Sequence, residues 1–270
     1  MNRTVRCLLA ATSLLSVATA ARAADDKDKE PLYPVAVIDR PFTVFEDMKQ
    51  ISLGLDINLG ASNAFKPMFP SATVDYGFNN DLQFSANLGL CFNGQGNGCN
   101  SAASEVTLSA TYSTGSLGPI ATAVFLRAQF PSFTPAEFAI PFGALLRYTP
   151  APELFSIVAA PQFAIALTDR NAPQPNPGGD FAGNFDTFSL PFQFQLQATE
   201  HFEFQLNVAL NVQMDPQGAN PSPMIPLGAG MSWAITRYMD VGGSFTYLNL
   251  FGKNGNGLSR EMSFFYTLRI

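Results

Sequence analysis

A catalytic base is the first chemistry to look for, and the chain offers one candidate, His201, its single histidine. A serine or cysteine nucleophile needs such a base to remove its proton. His201 lies between two stretches of alternating polar and apolar residues, in the short segment from Thr199 to Phe202 that is typical of a turn. This position argues against a hydrolase of the Ser-His type, while a site built from carboxylates alone stays open as a lesser possibility.

Two cysteines, Cys91 and Cys99, flank a stretch rich in Gly and Asn. In an oxidising compartment they predict a disulfide that closes a short loop. Two isolated cysteines without a neighbouring histidine do not indicate a zinc site. Oxygen ligands for Ca²⁺ could come from Asp169, Asp180, Asn184 and Asp186. Their spacing matches no known calcium loop, so neither a metal nor a cofactor is predicted.

Polar residues that could contact a solute recur at every second position. Between Phe202 and Met214, Phe, Leu and Val alternate with Glu, Gln and Asn, and the segment 188–197 repeats the pattern. Such alternation predicts a strand with one apolar and one polar face. A run of about 13 residues exceeds the usual 5 or 6 of globular strands and suits a tilted membrane strand.

The N-terminus has the pattern of a secretory signal. Basic residues at Met1 to Arg6 precede an apolar run from Cys7 to Ala20, and Ala21-Arg22-Ala23 follows. The run is shorter than the roughly 20 residues of a spanning helix, so we predict a signal peptide over 1–23, cut between Ala23 and Ala24. The charged, Pro-containing segment 24–50 is predicted to be a periplasmic extension without strands.

The composition indicates a membrane protein. Only 13% of the residues are charged and 47% are hydrophobic, against about 25% charged in soluble domains. No apolar stretch after the signal reaches 18 residues, and only helices and closed barrels satisfy every backbone group in hydrocarbon. The formal net charge of −6 argues against nucleic-acid binding, which depends on Lys and Arg.

We therefore predict an all-β fold, a single antiparallel up-and-down transmembrane β-barrel over 51–270. Short turns at 78–82, 149–153, 199–202 and 236–239 alternate with longer loops, as in outer-membrane barrels. Pro161 does not fit the middle of a strand, so an irregularity is expected there. The predicted strands are 51–60, 68–78, 81–92, 105–113, 119–130, 138–148, 153–167, 185–198, 201–214, 224–236, 239–251 and 258–270.

The alternation also predicts which side chains face the lumen and which form aromatic girdles at the membrane surfaces. The predicted lumen residues are Asp56, Asn58, Gln83, Asn87, Glu105, Arg127, Gln129, Arg147, Gln193, Gln195, Gln205, Asn207, Asn211, Glu261 and Arg269. The predicted girdle residues are Tyr76, Phe78, Tyr148, Trp233 and Tyr238 at one end, with Phe69, Phe130, Phe185 and Phe251 at the other.

Two short motifs carry a family resemblance. The first is Tyr33-Pro34-Val35-Ala36-Val37-Ile38-Asp39-Arg40-Pro41-Phe42-Thr43, just before the first strand, and the second is Val74-Asp75-Tyr76-Gly77-Phe78-Asn79-Asn80-Asp81-Leu82. The chain from 33 to 270 resembles the phenol-degradation meta-pathway family of outer-membrane proteins from Gram-negative bacteria. This resemblance implies a channel or transporter for small, hydrophobic compounds. The chain departs from the usual barrel ending, with Ile270 where a terminal Phe is common.

From the residues themselves, the amide-rich lumen favours small neutral solutes over ions. A barrel of about 12 strands lies between the filled barrels of about 8 and the open porins of 16 to 18, so a closed structural or ligand-holding barrel is the second reading of the same pattern. A barrel enzyme and a secreted soluble lipid carrier are less favoured and stay open. The expected partners are the outer-membrane bilayer, the barrel-assembly machinery and a small-molecule solute, with no nucleic acid.

Overall fold

The computed structural model describes residues 33–60, 65, 67–92, 103–133, 136–168, 185–214, 222–251 and 260–270. The predicted signal peptide, its cleavage site at Ala23 and Ala24, and Cys99 lie outside these residues. So do Asp169, Asp180 and Asn184. Across the described ranges, no group of three or more His, Cys, Asp or Glu side chains is arranged to hold a metal ion.

Strands make up nearly all of the described chain. They are β1 Lys49–Asn58, β2 Met68–Gly77, β3 Leu82–Leu90, β4 Ala103–Leu117, β5 Ile120–Phe133, β6 Ala136–Ala151, β7 Phe155–Ala159, β8 Gln162–Ala166, β9 Asp186–Thr199, β10 Phe202–Met214, β11 Ser222–Thr236, β12 Met239–Phe251 and β13 Arg260–Arg269. A 3₁₀ turn, Val37–Asp39, precedes them. Within the ranges given above, no helix is long and apolar enough to cross a membrane.

The sheet closes on itself. Except for β7 and β8, which do not pair with each other, each strand pairs antiparallel with its neighbour in the chain. The last strand, β13, pairs with β1 from Gln50 opposite Arg269 to Asn58 opposite Glu261. The short strands β7 and β8 both lie between β6 and β9 and together occupy one position in the wall. The result is a closed barrel of 12 antiparallel strand positions, which confirms the predicted fold class.

The expected irregularity at Pro161 is an interruption between β7 and β8. The pairing register stays continuous across it, because Ala159 pairs with Leu146 and Gln162 pairs with Gly143. Proline has no N–H to donate to the ladder. The Pro161 carbonyl instead accepts from the Ala144 N–H at 3.0 Å. The missing N–H donor therefore interrupts the strand between β7 and β8 but leaves the pairing register unchanged on both sides.

The two ends of the barrel differ. One end, called here the short-turn end, carries the brief connections 78–81, 118–119, 152–154, 200–201 and 237–238. Apart from 134–135, the connections at the opposite end are longer. In outer-membrane barrels the short turns face the periplasm.

Large apolar side chains point outward along every second position. Leu53, Leu126 and Trp233 are 42%, 57% and 55% exposed, although all three lie within strands. Most of the predicted girdle residues with described side chains are exposed as well, Phe78 at 58% among them. Phe69 is an error of the prediction, because it lies opposite Asp56 on the inward face.

Candidate functional site

Residues 33–48, called here the N-terminal plug, lie against inward-facing side chains at the short-turn end. The Ile38 N–H donates to Oε1 of Gln197 on β9 at 3.4 Å, and the Val44 N–H donates to Oε1 of Gln83 on β3 at 2.9 Å. Ile38 and Val44 are 2% and 3% exposed. The segment predicted as an extension thus reaches from one side of the barrel interior to the other.

A buried charge cluster joins the plug to the wall. The Arg40 guanidinium donates to both oxygens of Asp240 at 2.7 and 2.9 Å, and Arg269 donates to the same carboxylate at 2.7 Å. The three side chains are no more than 7% exposed. Arg40 also donates to the carbonyls of Pro34 and Val35, at 3.1 and 2.7 Å. One wall carboxylate therefore forms ion pairs with two guanidinium groups, one from the plug and one from β13.

Aromatic rings of the plug cover the same arginines. The Tyr33 ring lies 5.6 Å from the guanidinium carbon of Arg40 and 4.8 Å from that of Arg269. The Tyr33 and Phe45 rings pack edge to face, with their centroids 5.3 Å apart. A cation over an aromatic face is attracted by the ring's quadrupole, and more strongly when both are withdrawn from water.

Arg147 of β6 holds the plug from the opposite side. Its guanidinium donates to the carbonyl oxygens of Ile38 and Arg40, and it lies 4.7 Å over the Phe42 ring. A guanidinium presents several donors in a fixed fork, which suits two neighbouring carbonyls. This contact fixes the backbone on both sides of Asp39.

The plug joins β1 through a close backbone approach at Gly77. The Asp47 N–H donates to the Gly77 carbonyl at 2.9 Å, and the Gly77 N–H donates to the Met48 carbonyl at 3.0 Å. A Cβ added to Gly77 would overlap the Phe45 carbonyl. Asp47 has φ of 60°, an uncommon value for a non-glycine residue, and its carboxylate accepts from the Tyr76 hydroxyl at 2.9 Å. Glycine at position 77 is thus required for the plug to lie this close to the wall.

A polar cavity of about 770 Å³ lies in the barrel interior, and Phe42 of the plug forms part of its lining. Strands β1 to β5 and β13 provide most of the remaining surface. The polar lining comprises the carboxylates Asp56, Asp75, Glu105 and Glu261, the amides Gln83, Asn87 and Gln129, the hydroxyls Ser71, Thr73, Ser85, Thr107, Ser109 and Thr111, and Arg127.

Comparison with known proteins gives a likeness of fold. No family model matches the chain, and no curated protein matches it in sequence. In structure it is similar to the NanC porin, with a TM-score of 0.57 and 12% identity over 80% of this chain and 97% of that one. An outer-membrane channel from Pseudomonas putida F1 gives 0.57 and 8% over 91% and 100%, and the KdgM porin gives 0.55 and 7% over 81% and 98%.

The fold is that of an outer-membrane β-barrel. The closed 12-strand wall satisfies its backbone groups internally, and its outward face carries exposed Leu, Val, Phe and Trp side chains. These features are what a hydrocarbon environment requires of a β-protein.

Away from the cavity, the barrel wall carries an amide ladder on β9 and β10. Gln193 on β9 pairs with Asn207 on β10 in the register and donates to its diagonal neighbour Gln205 at 2.7 Å. The Ser156 hydroxyl donates to Gln195 at 2.6 Å, and both residues are buried. Neighbouring strands therefore supply hydrogen-bond partners for most of the inward-facing amides in this part of the wall.

The predicted lumen residues fall into groups. Seven line the cavity: Asp56, Gln83, Asn87, Glu105, Arg127, Gln129 and Glu261. Five belong to the amide wall on β9 and β10: Gln193, Gln195, Gln205, Asn207 and Asn211. Two contact the plug, Arg147 and Arg269. Asn58 accepts from the Gly60 N–H at 2.7 Å. That these residues line a conducting pore stays a prediction, as does the disulfide of Cys91, which is 6% exposed, with Cys99.

Sequence reasoning missed Arg40, Phe42 and Asp240. Asp240 stands at an inward position of β12, so the alternation would have found it. Arg40 and Phe42 lie in a segment without periodicity, and only their place in the first family motif marked them.

Proposed function

We propose that the protein is a channel for small solutes across the outer membrane, with the N-terminal plug closing its short-turn end. The observation that carries this proposal is the polar cavity of about 770 Å³, which lies within the range of small-molecule pockets and is bounded on one side by the plug. A barrel filled only for stability would need no such cavity, because interiors otherwise pack densely.

Small neutral solutes fit this cavity better than hydrophobic ones. Its lining is dominated by hydroxyl, amide and carboxylate groups. A hydrophobic compound would remove these groups from water and offer them no hydrogen bonds in return. The resemblance to the phenol-degradation meta-pathway family therefore supports the channel role more than it supports a hydrophobic cargo.

A closed structural or ligand-holding barrel is the second candidate. The buried charge cluster favours it, because Arg40, Asp240 and Arg269 fix the plug in the short-turn end. A permanently seated plug would leave the cavity open to one side only. The two candidates therefore differ in whether the plug can leave.

Neither a barrel enzyme nor a soluble lipid carrier is proposed. His201 lies in the turn between β9 and β10, where its Nδ1 is 2.6 Å from the Ala234 carbonyl, outside the cavity. The apolar side chains of the barrel point outward, whereas a soluble carrier would bury them.

The proposal includes a precursor pathway. The chain would be secreted, cut between Ala23 and Ala24, and inserted by the barrel-assembly machinery. Of the predicted periplasmic segment 24–50, residues 33–48 would lie inside the short-turn end as the plug, and the barrel predicted over 51–270 would begin with β1 at Lys49. Cys91 and Cys99 would be oxidised to a disulfide.

Planar-bilayer conductance of three refolded proteins tests the channel. These are the mature chain, a variant lacking 24–46, and a control lacking 24–32 that keeps the plug. We expect small or rare openings from the mature chain and the control, and larger, steady openings from the variant without the plug. Heat-modifiable gel mobility would verify that each barrel is folded. If the folded variant lacking 24–46 conducts nothing, the channel proposal fails and the closed barrel replaces it.

A further inference from the structure

The cavity has an uneven supply of hydrogen-bonding groups. A carboxylate only accepts, a guanidinium only donates, and hydroxyls and amides do both. The lining holds four carboxylates and one guanidinium, that of Arg127. A bound solute must therefore bring more donors than acceptors if the lining is to remain satisfied.

Two of the four carboxylates already accept hydrogen bonds from side chains of the barrel wall. Asp75 accepts from Gln50 at 2.8 Å and from Gln83 at 3.0 Å. Glu105 accepts from Thr107 at 2.7 Å and from Gln129 at 3.2 Å.

The other two carboxylates, Asp56 and Glu261, face the cavity with more acceptor capacity left. They are diagonal neighbours on β1 and β13, because Asp56 pairs with Ser263 and Glu261 pairs with Asn58. Ser263 donates to Glu261 at 3.4 Å, a long hydrogen bond. In the part of the chain that the structure describes, neither Asp56 nor Glu261 forms an ion pair within 4 Å, unlike Asp240 with its two arginines.

The apolar part of the lining adds a second constraint. Phe42 and Phe69 contribute aromatic rings to a surface that is otherwise rich in hydroxyls and amides. A sugar ring or polyol combines C–H faces, which pack on aromatic rings, with hydroxyls that donate hydrogen bonds. A purely apolar solute would use the rings alone, and an anion would meet four carboxylates.

We propose that the cavity binds polyhydroxylated solutes that are uncharged or carry an ammonium group, and that it discriminates against anionic and apolar solutes of similar size. Asp56 and Glu261 accept the donors of the solute, and Phe42 and Phe69 pack against its C–H surface. The inference rests on the proposed function for its use in transport, but binding itself is measurable without transport.

Saturation-transfer NMR on the intact mature chain in detergent micelles tests the binding. The probes are glucose, glucosamine and glucuronate, which share one ring and differ in charge, with cyclohexanol as the mainly apolar probe. We expect glucosamine and glucose to bind and to compete with each other. Glucuronate should bind more weakly by roughly tenfold, since its carboxylate meets the like charges of the lining carboxylates. Cyclohexanol should not displace glucose.

Isosteric variants assign the binding to the cavity. Asp56→Asn with Glu261→Gln should weaken glucosamine binding by roughly tenfold and strengthen glucuronate binding. Glu153→Gln, in an exposed short turn, is the matched control and should leave both unchanged. Equal binding of glucuronate and glucosamine, displacement by cyclohexanol, an unchanged preference in the double variant, or no binding of either uncharged or cationic sugar would each overturn the inference. Binding without conductance would remove the transport proposal and keep this one.

Discussion

Arg40 of the plug and Asp240 of β12 form a two-point ion pair, with both carboxylate oxygens accepting at 2.7 and 2.9 Å. Their side chains are 7% and 5% exposed. The pair joins a segment without strand structure to the barrel wall, so its strength sets how firmly the plug is seated.

Replacement of Asp240 by Asn should release the plug. Removing one member of a buried charge group leaves the others uncompensated, at a cost of about 3 kcal/mol. This cost falls on the docked state, because Arg40 is hydrated again once the plug undocks. The ratio of undocked to docked plug should therefore rise by about a hundredfold. Single-channel recordings should show a corresponding rise in open time. Asp81→Asn, in an exposed short turn, is the control, and equal open times in the two variants would contradict the prediction.

Arg40→Met should act in the same direction but more weakly. Asp240 keeps its contact with Arg269 at 2.7 Å, so no carboxylate is left unpaired. The double variant of Arg40→Met with Asp240→Asn should cost less than the sum of the two single changes, because both remove the same interaction. Additive effects on open time would show that the two residues act independently.

Gly77→Ala should displace the plug without altering any plug side chain. The added Cβ would overlap the Phe45 carbonyl, and backbone cannot move aside as a flexible side chain does. Limited proteolysis should cut within 33–48 faster than in the unaltered protein. Gly230→Ala is the control, since its Cβ would lie 3.0 Å from its nearest neighbours on β12. Equal cleavage of the two variants would refute a specific role for the close approach.

Trp233 provides a test of the lipid-facing wall. It is the single tryptophan of the chain and is 55% exposed on the outward face. In vesicles its fluorescence should be blue-shifted and quenched by brominated acyl chains, while aqueous iodide should have little effect. Efficient iodide quenching would instead indicate that this face contacts water.

The barrel was predictable because polar and apolar residues alternate along each strand, a pattern that the local sequence shows directly. Gln205 and Asn207 face inward next to Phe204 and Leu206 facing outward, and closure of the ring then follows from the need to satisfy the backbone. Phe69 was misassigned because an aromatic residue near a strand end is usual on the outward face, and only its pairing with Asp56 shows that it points inward.

The plug was not predictable by the same means. Residues 33–48 have no period of two, and their contacts with side chains of the barrel wall range from 29 positions away in the chain (Asp47 with Tyr76) to 236 (Tyr33 with Arg269). Nothing local in the sequence fixes the pairing of Arg40 with Asp240, because it depends on the finished ring bringing β12 beside the N-terminal segment.

The position of Arg269 has a consequence for biogenesis. It is the last residue of β13, lies opposite Gln50 at the seam where the last strand meets the first, and shares Asp240 with Arg40. The complete charge cluster therefore holds the segment before β1 beside β12 and β13, next to the seam that must close. In an assembly intermediate with an open seam, docking of the plug would bring the first strand close to the last, so plug docking and barrel closure would favour each other.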